Sequence, residues 1–131
     1  MKRISARGLI VTDNGLAVIF RRKINGNDVK EYYVVPGGGV NEGEKIEDCL
    51  RRELKEELNI EAEIKDLAFK TETPDRIEYF YNCKYVSGNF TLNGEEIDRM
   101  SETNYYEPTF IKIKDLDKCD IMQEVKDYYK K

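Results

Sequence analysis

The sequence predicts an α/β domain in which helices pack on a β-sheet. Two patterns carry this. Runs of β-branched and aromatic residues recur along the chain, separated by turn residues. One long central stretch instead repeats its apolar residues at helical spacing, and a shorter stretch near the C-terminus does the same. A chain of 131 residues that is 40% hydrophobic is sized for one domain, spanning 1–131, with a core of its own.

The elements follow in order. ISARGLIVT (4–12) is rich in β-formers and reads as a strand, and Asp13-Asn14-Gly15 is a turn signal. LAVIFRR (16–22) reads as the returning strand of a hairpin. KINGNDVK (23–30) reads as a polar loop with Asn25-Gly26 at its tip, and EYYVV (31–35) as a short strand ending at Pro36. PGGGVNEGE (36–44) is a glycine-rich loop, followed by a helix from about Glu44 to Leu58. Residues 61–88 read as two strands joined around Thr73-Pro74-Asp75, and 87–108 as the least regular part. TFIKI (109–113) reads as a strand, and 120–131 as a terminal helix with Ile121, Val125 and Tyr128 on one face.

Composition excludes several kinds of chemistry. There is no histidine, which removes Ser-His-Asp and Cys-His machinery and every His-ligated metal site. Acid–base work must then rest on carboxylates, Lys, Tyr, Cys or a metal-bound hydroxide. Cys49, Cys83 and Cys119 are odd in number and widely spaced, which argues against a disulfide framework or a zinc site and predicts a reduced, cytoplasmic setting. The N-terminal MKRISARGLIVTD has no long apolar run, so neither a signal peptide nor a membrane span is expected. The 22 basic residues are interspersed with 26 acidic ones, giving a net charge of −4 and no basic field for a nucleic acid polymer.

The central helix carries an internal conflict. At roughly 100° per residue from Glu53, Ile46, Leu50, Leu54 and Leu58 fall at about 20°, 60°, 100° and 140°. That apolar arc should face the sheet. Glu57 falls near 40°, inside the arc, and Glu53 lies at its edge, with Glu56 near −60°. Glu53 is spaced i,i+3 from Glu56 and i,i+4 from Glu57, so the like charges are neighbours and destabilise the helix. A solvated acidic face compensated by Arg52 and Lys55 is the ordinary reading, and the azimuth of Glu57 counts against it. A divalent cation would relieve the repulsion, and an all-oxygen donor set favours Mg²⁺ or Mn²⁺.

The glycine loop turns this acidic turn into a recognisable pattern. Gly38, five residues, Glu44, seven residues and Arg52-Glu53-Leu54-Lys55-Glu56-Glu57 are followed by Asn59 and Ile60. This resembles the signature of the Nudix (MutT-like) hydrolases, G-x5-E-x7-R-E-U-x-E-E-x-G-U, with U a bulky aliphatic. Only the final Gly departs, replaced by Asn59. After Gly, Asn is the residue that best tolerates the left-handed conformation usual after a helix, so the carboxylates should stay in place.

The resemblance implies an α/β/α sandwich with a mixed sheet, a catalytic helix and a C-terminal helix. It implies water attack on phosphorus in a nucleoside diphosphate linked to another moiety, with Mg²⁺ or Mn²⁺. Glu53, Glu56 and Glu57 would be metal ligands, with a carbonyl of Gly37 or Gly38 completing the set. Glu53, or an acid from a later loop, would be the base, and Arg52 an orienting residue held by Glu44 or Glu56. Arg21 and Arg22 close a strand near the loop and could reach phosphate, though alternation lets only one share the site's face. Glu95 and Glu96 are the later-loop acids. The partner is a small nucleotide, and the reading is compatible with a homodimer. The alternative is a Nudix-like domain that binds a nucleotide and regulates without catalysis, which has no need of the retained carboxylates.

Overall fold

The computed structural model describes residues 2–92 and 95–130, with the side chains of Glu95 and Glu96 outside the described set. Among the described residues, seven strands and three α-helices follow one another: β1 (Arg3–Thr12), β2 (Gly15–Asn25), β3 (Asp28–Val34), β4 (Gly37–Gly39), α1 (Ile46–Leu58), β5 (Ile60–Glu72), β6 (Arg76–Gly88), α2 (Glu95–Arg99), β7 (Asn104–Ile111) and α3 (Gln123–Tyr129). A 3-10 helix over Ile113–Lys118 joins β7 to α3.

β1 sits at the junction of two groups of strands. It pairs parallel with β6 and antiparallel with β4, and β5 pairs antiparallel with β6. β2 carries β3 on one side and β7 on the other, both antiparallel. The groups meet at the β1–β2 hairpin, where Val11 pairs with Leu16 and Thr12 with Gly15.

Strand alternation divides the core into two layers. Ala6 and Ile10 of β1 pack with Cys49, Leu50, Leu54 and Leu58 of α1, while Leu9 packs with Val18, Phe80, Ile121 and Val125 on the side of α3. Leu50, Leu54 and Leu58 are fully buried, each contributing about 1.5–3 kcal/mol relative to exposure. The expected sandwich, helix on either side of a mixed sheet, is the architecture found. Among the described residues no helix is long and apolar enough to cross a membrane.

Several boundaries differ from the sequence reading. KINGNDVK is not a loop: β2 and β3 run through it to Asn25↔Asp28. The ladder extends beyond the core because its backbone groups pair with each other, and Arg22 sits opposite Glu31 in ion contact at 2.9 Å. β7 takes in Tyr105 to Pro108, and Pro108 fits because β7 has a partner only on the β2 side. The strand stops at Ile111, leaving Ile113 in the 3-10 helix. The last helix starts at Gln123, so Ile121 is buried from the segment before it. α1 starts at Ile46, because Asn41 and Glu44 close a turn in which the Glu44 N–H donates to the Asn41 carbonyl at 3.0 Å.

α1 ends on Asn59 in the left-handed region, φ 55° and ψ 42°. Its N–H donates to Lys55 O at 3.1 Å, and the Thr91 N–H covers Leu58 O at 3.0 Å. The helix stop therefore needs a residue that tolerates positive φ, which Asn does at little cost. Asn59→Gly should leave stability within about 0.5 kcal/mol, whereas Asn59→Val should lower it by about 1–2 kcal/mol, read as the shift in urea midpoint.

Candidate active site

α1 presents its acidic turn beside β4, and the two elements meet through side chain and main chain. The Gly37 N–H donates to Glu57 Oε1 at 2.8 Å. An atom in the Cβ position of Gly38 would lie 2.6–2.7 Å from the Glu53 carboxyl group. The absence of a side chain at Gly38 is thus what lets the Glu53 carboxylate lie against the glycine strand. Pro36 and Gly37 are buried behind it.

Arg52 organises the rest. It grips Glu44 with two parallel bonds, Nε to Oε2 and Nη2 to Oε1, both at 2.9 Å. Nη1 reaches Glu53 at 3.0 Å and Glu56 at 3.2 Å, and Nη2 also reaches Gly39 O at 3.2 Å. Glu44 accepts a further bond from the Asn41 N–H at 3.0 Å. These bonds, the Arg52 fork first, hold the Glu44 carboxyl down at about 2.

Glu53 moves the other way. Its side chain is 16% exposed, and loss of water raises its carboxyl above the ordinary value. Arg52 opposes the rise and the Glu56 charge adds to it. Glu56 is 60% exposed on the outer edge. Among the described residues no three His, Cys, Asp or Glu side chains gather into a metal-binding group. Glu44, Glu53 and Glu56 instead share the Arg52 guanidinium, which lowers the repulsion between like charges on adjacent turns, and Glu57 accepts from the Gly37 N–H. The donor chemistry still fits a hard divalent cation: carboxylate oxygens, one partly stripped of water, beside a strand with no Cβ at Gly38. The Gly37 and Gly39 carbonyls are engaged, by Arg7 at 3.3 Å and Arg52 at 3.2 Å.

Glu57 opens onto a cavity of about 210 Å³ that is also lined by Arg7, Ile19, Arg21, Val34, Gly37, Arg99 and Tyr106. Three guanidinium groups beside one carboxylate suit an anionic ligand.

The match to the NUDIX domain family runs over residues 1–123. The chain belongs to the NUDIX family. Among curated relatives, an mRNA-decapping protein of Vaccinia virus (strain Copenhagen) is 32% identical over 115 residues, covering 81% of this chain and 53% of that protein. An 8-oxo-dGTP diphosphatase of Haemophilus influenzae is 33% identical over 92 residues, covering 70% of this chain and 62% of that one. The chain thus spans about half to two thirds of the length of these relatives. A crystal structure of a MutT NUDIX hydrolase from Burkholderia pseudomallei superposes with a TM-score of 0.71 at 18% identity, covering 99% of this chain and 97% of that one. At that identity the likeness is one of fold.

The NUDIX fold brings some sequence candidates together and leaves others apart. Arg21 lines the cavity, donating to Tyr106 OH at 2.8 Å, with its guanidinium 4.4 Å from the Tyr106 ring centre. Arg22 lies on the opposite strand face, paired with Glu31 and away from the cavity lining. It is set aside as a phosphate contact, because alternation along β2 turns neighbouring side chains to opposite faces. The side chains of Glu95 and Glu96 lie outside the described residues. Cys49 is fully buried with Sγ 3.4 Å from Gly39 O, and burial pushes its thiol up to about 11, so it is a protonated packing group.

Arg7 and Arg99, which line this cavity, were not legible as candidate site residues in the sequence. The one signal for Arg7 was a charge inside an otherwise apolar strand.

Two predictions follow from this NUDIX site. Gly37 has φ +147° and its added Cβ would meet the Ala6 carbonyl oxygen at 2.0 Å, whereas the clash at Gly38 is with the mobile end of Glu53. Gly37→Ala should therefore lose about 2 kcal/mol or more, and Gly38→Ala about 1 kcal/mol or less, by urea denaturation with circular dichroism. The second concerns pH. Glu44 is depressed from 4.5 to about 2 on folding, so its contribution is present above its ordinary value and lost as pH falls toward 2. The gap in urea midpoint between the wild type and Glu44→Gln should be open at about pH 7 and closed near about pH 2.

Proposed function

We propose that this NUDIX domain hydrolyses a diphosphate linkage in a nucleotide-type substrate, a nucleoside diphosphate joined to a further moiety, with Mg²⁺ or Mn²⁺. The observation that carries the reading is the folded acidic turn. Glu53 lies half-buried against Gly38 and Glu57 faces an arginine-lined cavity one helical turn away.

The residues divide the work by their surroundings. Glu53, Glu56 and Glu57, with the Gly38 carbonyl, are the oxygen donors that would hold the divalent ion. When bound, such an ion neutralises charge on phosphate oxygens and favours the deprotonated form of water. Arg21 and Arg99 orient the anionic substrate in the cavity and offset its charge. Water attacks phosphorus. The new P–O bond forms as the bridging P–O bond breaks, and the water proton passes to a carboxylate. Glu53 is the candidate for this last role, as the carboxylate held against the glycine strand.

Arg52 is committed to Glu44, Glu53, Glu56 and the Gly39 carbonyl, so it orients the carboxylates rather than the substrate. The three cysteines are free, in keeping with a reduced cytoplasmic setting.

The test is turnover of a panel: a nucleoside triphosphate, 8-oxo-dGTP, ADP-ribose and capped RNA, each with Mg²⁺, Mn²⁺ or chelator. At least one member should be cleaved with metal and none with chelator. Glu53→Gln and Glu57→Gln should each lower kcat/KM by about a hundredfold or more while the thermal unfolding midpoint stays near that of the wild type. Full activity in both variants would refute the site, and tight nucleotide binding without cleavage under any metal would favour the regulatory alternative.

A further inference from the structure

Away from their hairpin, β1 and β2 part company. β1 continues with β4 and β6, and β2 with β3 and β7. The chain crosses from one group to the other through Val35-Pro36, between β3 and β4. Arg7 sits at this crossing. It lines the cavity that holds Glu57 and also a second cavity of about 200 Å³, walled by Tyr33, Val35, Phe80, Ile121 and Met122.

Its guanidinium has defined partners on both sides. Nη1 donates to Val35 O at 3.0 Å and to Gly37 O at 3.3 Å, and Nε donates to Glu78 Oε2 at 2.9 Å. The side chains of Arg7 and Glu78 are only 21% and 17% exposed. Glu78 comes from β6, which is in parallel register with β1, so the fork is held from the strand next door. The Gly8 N–H adds a bond to Pro36 O at 2.9 Å.

Gly37 is the point of leverage, because it joins two held peptide units. Its carbonyl is held by Arg7, while its N–H holds Glu57. The residue that follows, Gly38, is the one against which Glu53 lies. A shift of Gly37 would move its N–H and the neighbouring Gly38 together, and with them the supports of both carboxylates. We infer that Arg7, held by Glu78, is a positioning residue that sets the place of Gly37 and through it Glu57 and Glu53. The kinetic part of this inference rests on the proposed hydrolysis, and the rest does not.

Lys cannot replace Arg here, because one ammonium cannot span two carbonyls and a carboxylate with a planar fork. Arg7→Lys and Glu78→Gln in the full chain test the idea with three readouts: amide exchange at Gly37 by NMR, affinity for Mn²⁺ alone, and kcat and KM on the best substrate of the panel. In both variants Gly37 exchange should rise on the order of tenfold, Mn²⁺ should bind about tenfold more weakly, and kcat should fall about tenfold with KM within about threefold. Unchanged exchange and Mn²⁺ affinity would overturn the inference. So would a rise in KM alone, which would make Arg7 a substrate contact. If Arg7→Lys does not fold, Glu78→Gln decides by the same readouts. If the wild type cleaves nothing in the panel, exchange and Mn²⁺ affinity still decide the role of Arg7, and only the proposed hydrolysis fails.

Discussion

One guanidinium holds the acidic turn of this protein together. Arg52 lies against Glu44, Glu53 and Glu56 and also against the Gly39 carbonyl. Without it, Glu53 and Glu56 would face each other one turn apart in a partly dry setting, where repulsion is stronger than in water. Arg52 also joins the helix to the loop before it, because Glu44 precedes α1 and Gly39 ends β4. The same contacts that balance charge therefore fix the distance between helix and glycine strand. Charge alone would not do this. Both oxygens of Glu44 take part, and that paired geometry is what a planar guanidinium provides.

The two ends of the site are set by different physics. The helix end is local: the apolar arc of Leu50, Leu54 and Leu58 is buried, and the carboxylates follow from its azimuth. The glycine end is not local. β4 has three residues and pairs with β1, at the place where the strand groups separate. A strand this short gains little from its own ladder, so side chains secure it: Arg7 from one side and Arg52 from the other. Glu57 completes the tie by accepting the Gly37 N–H. The acidic residues are thus structural acceptors as well as the proposed chemical groups of the site.

Much of the fold was legible in the sequence, and the misses share a cause. The helix, its apolar face and the first hairpin depend on periodicity and turn chemistry, which are local. The distal parts of β2 and β3 carry the polar composition of a loop in KINGNDVK. Those strands persist outside the core through paired backbone groups and the Arg22–Glu31 contact. Tyr105 to Pro108 looked irregular for a similar reason. That segment becomes a strand because β2 offers it an edge, not because of its own propensity.

The sequence by itself determined the acidic turn. Residues three and four apart on a helix must be neighbours, so Arg52, Glu53, Glu56 and Glu57 were bound to meet wherever the helix lay. It also determined that Asn59 could end the helix, since tolerance of positive φ belongs to the residue. Only the tertiary structure decided what faces that turn. Arg7, Arg21, Arg99 and Tyr106 come from positions far apart in the chain; pairing of β2 with β7 brings Arg21 and Tyr106 together, while Arg7 comes from β1 and Arg99 from α2 to line the same cavity. The choice of Arg21 over Arg22 had the same origin: alternation limits the face to one of them, and only the packing of β2 says which.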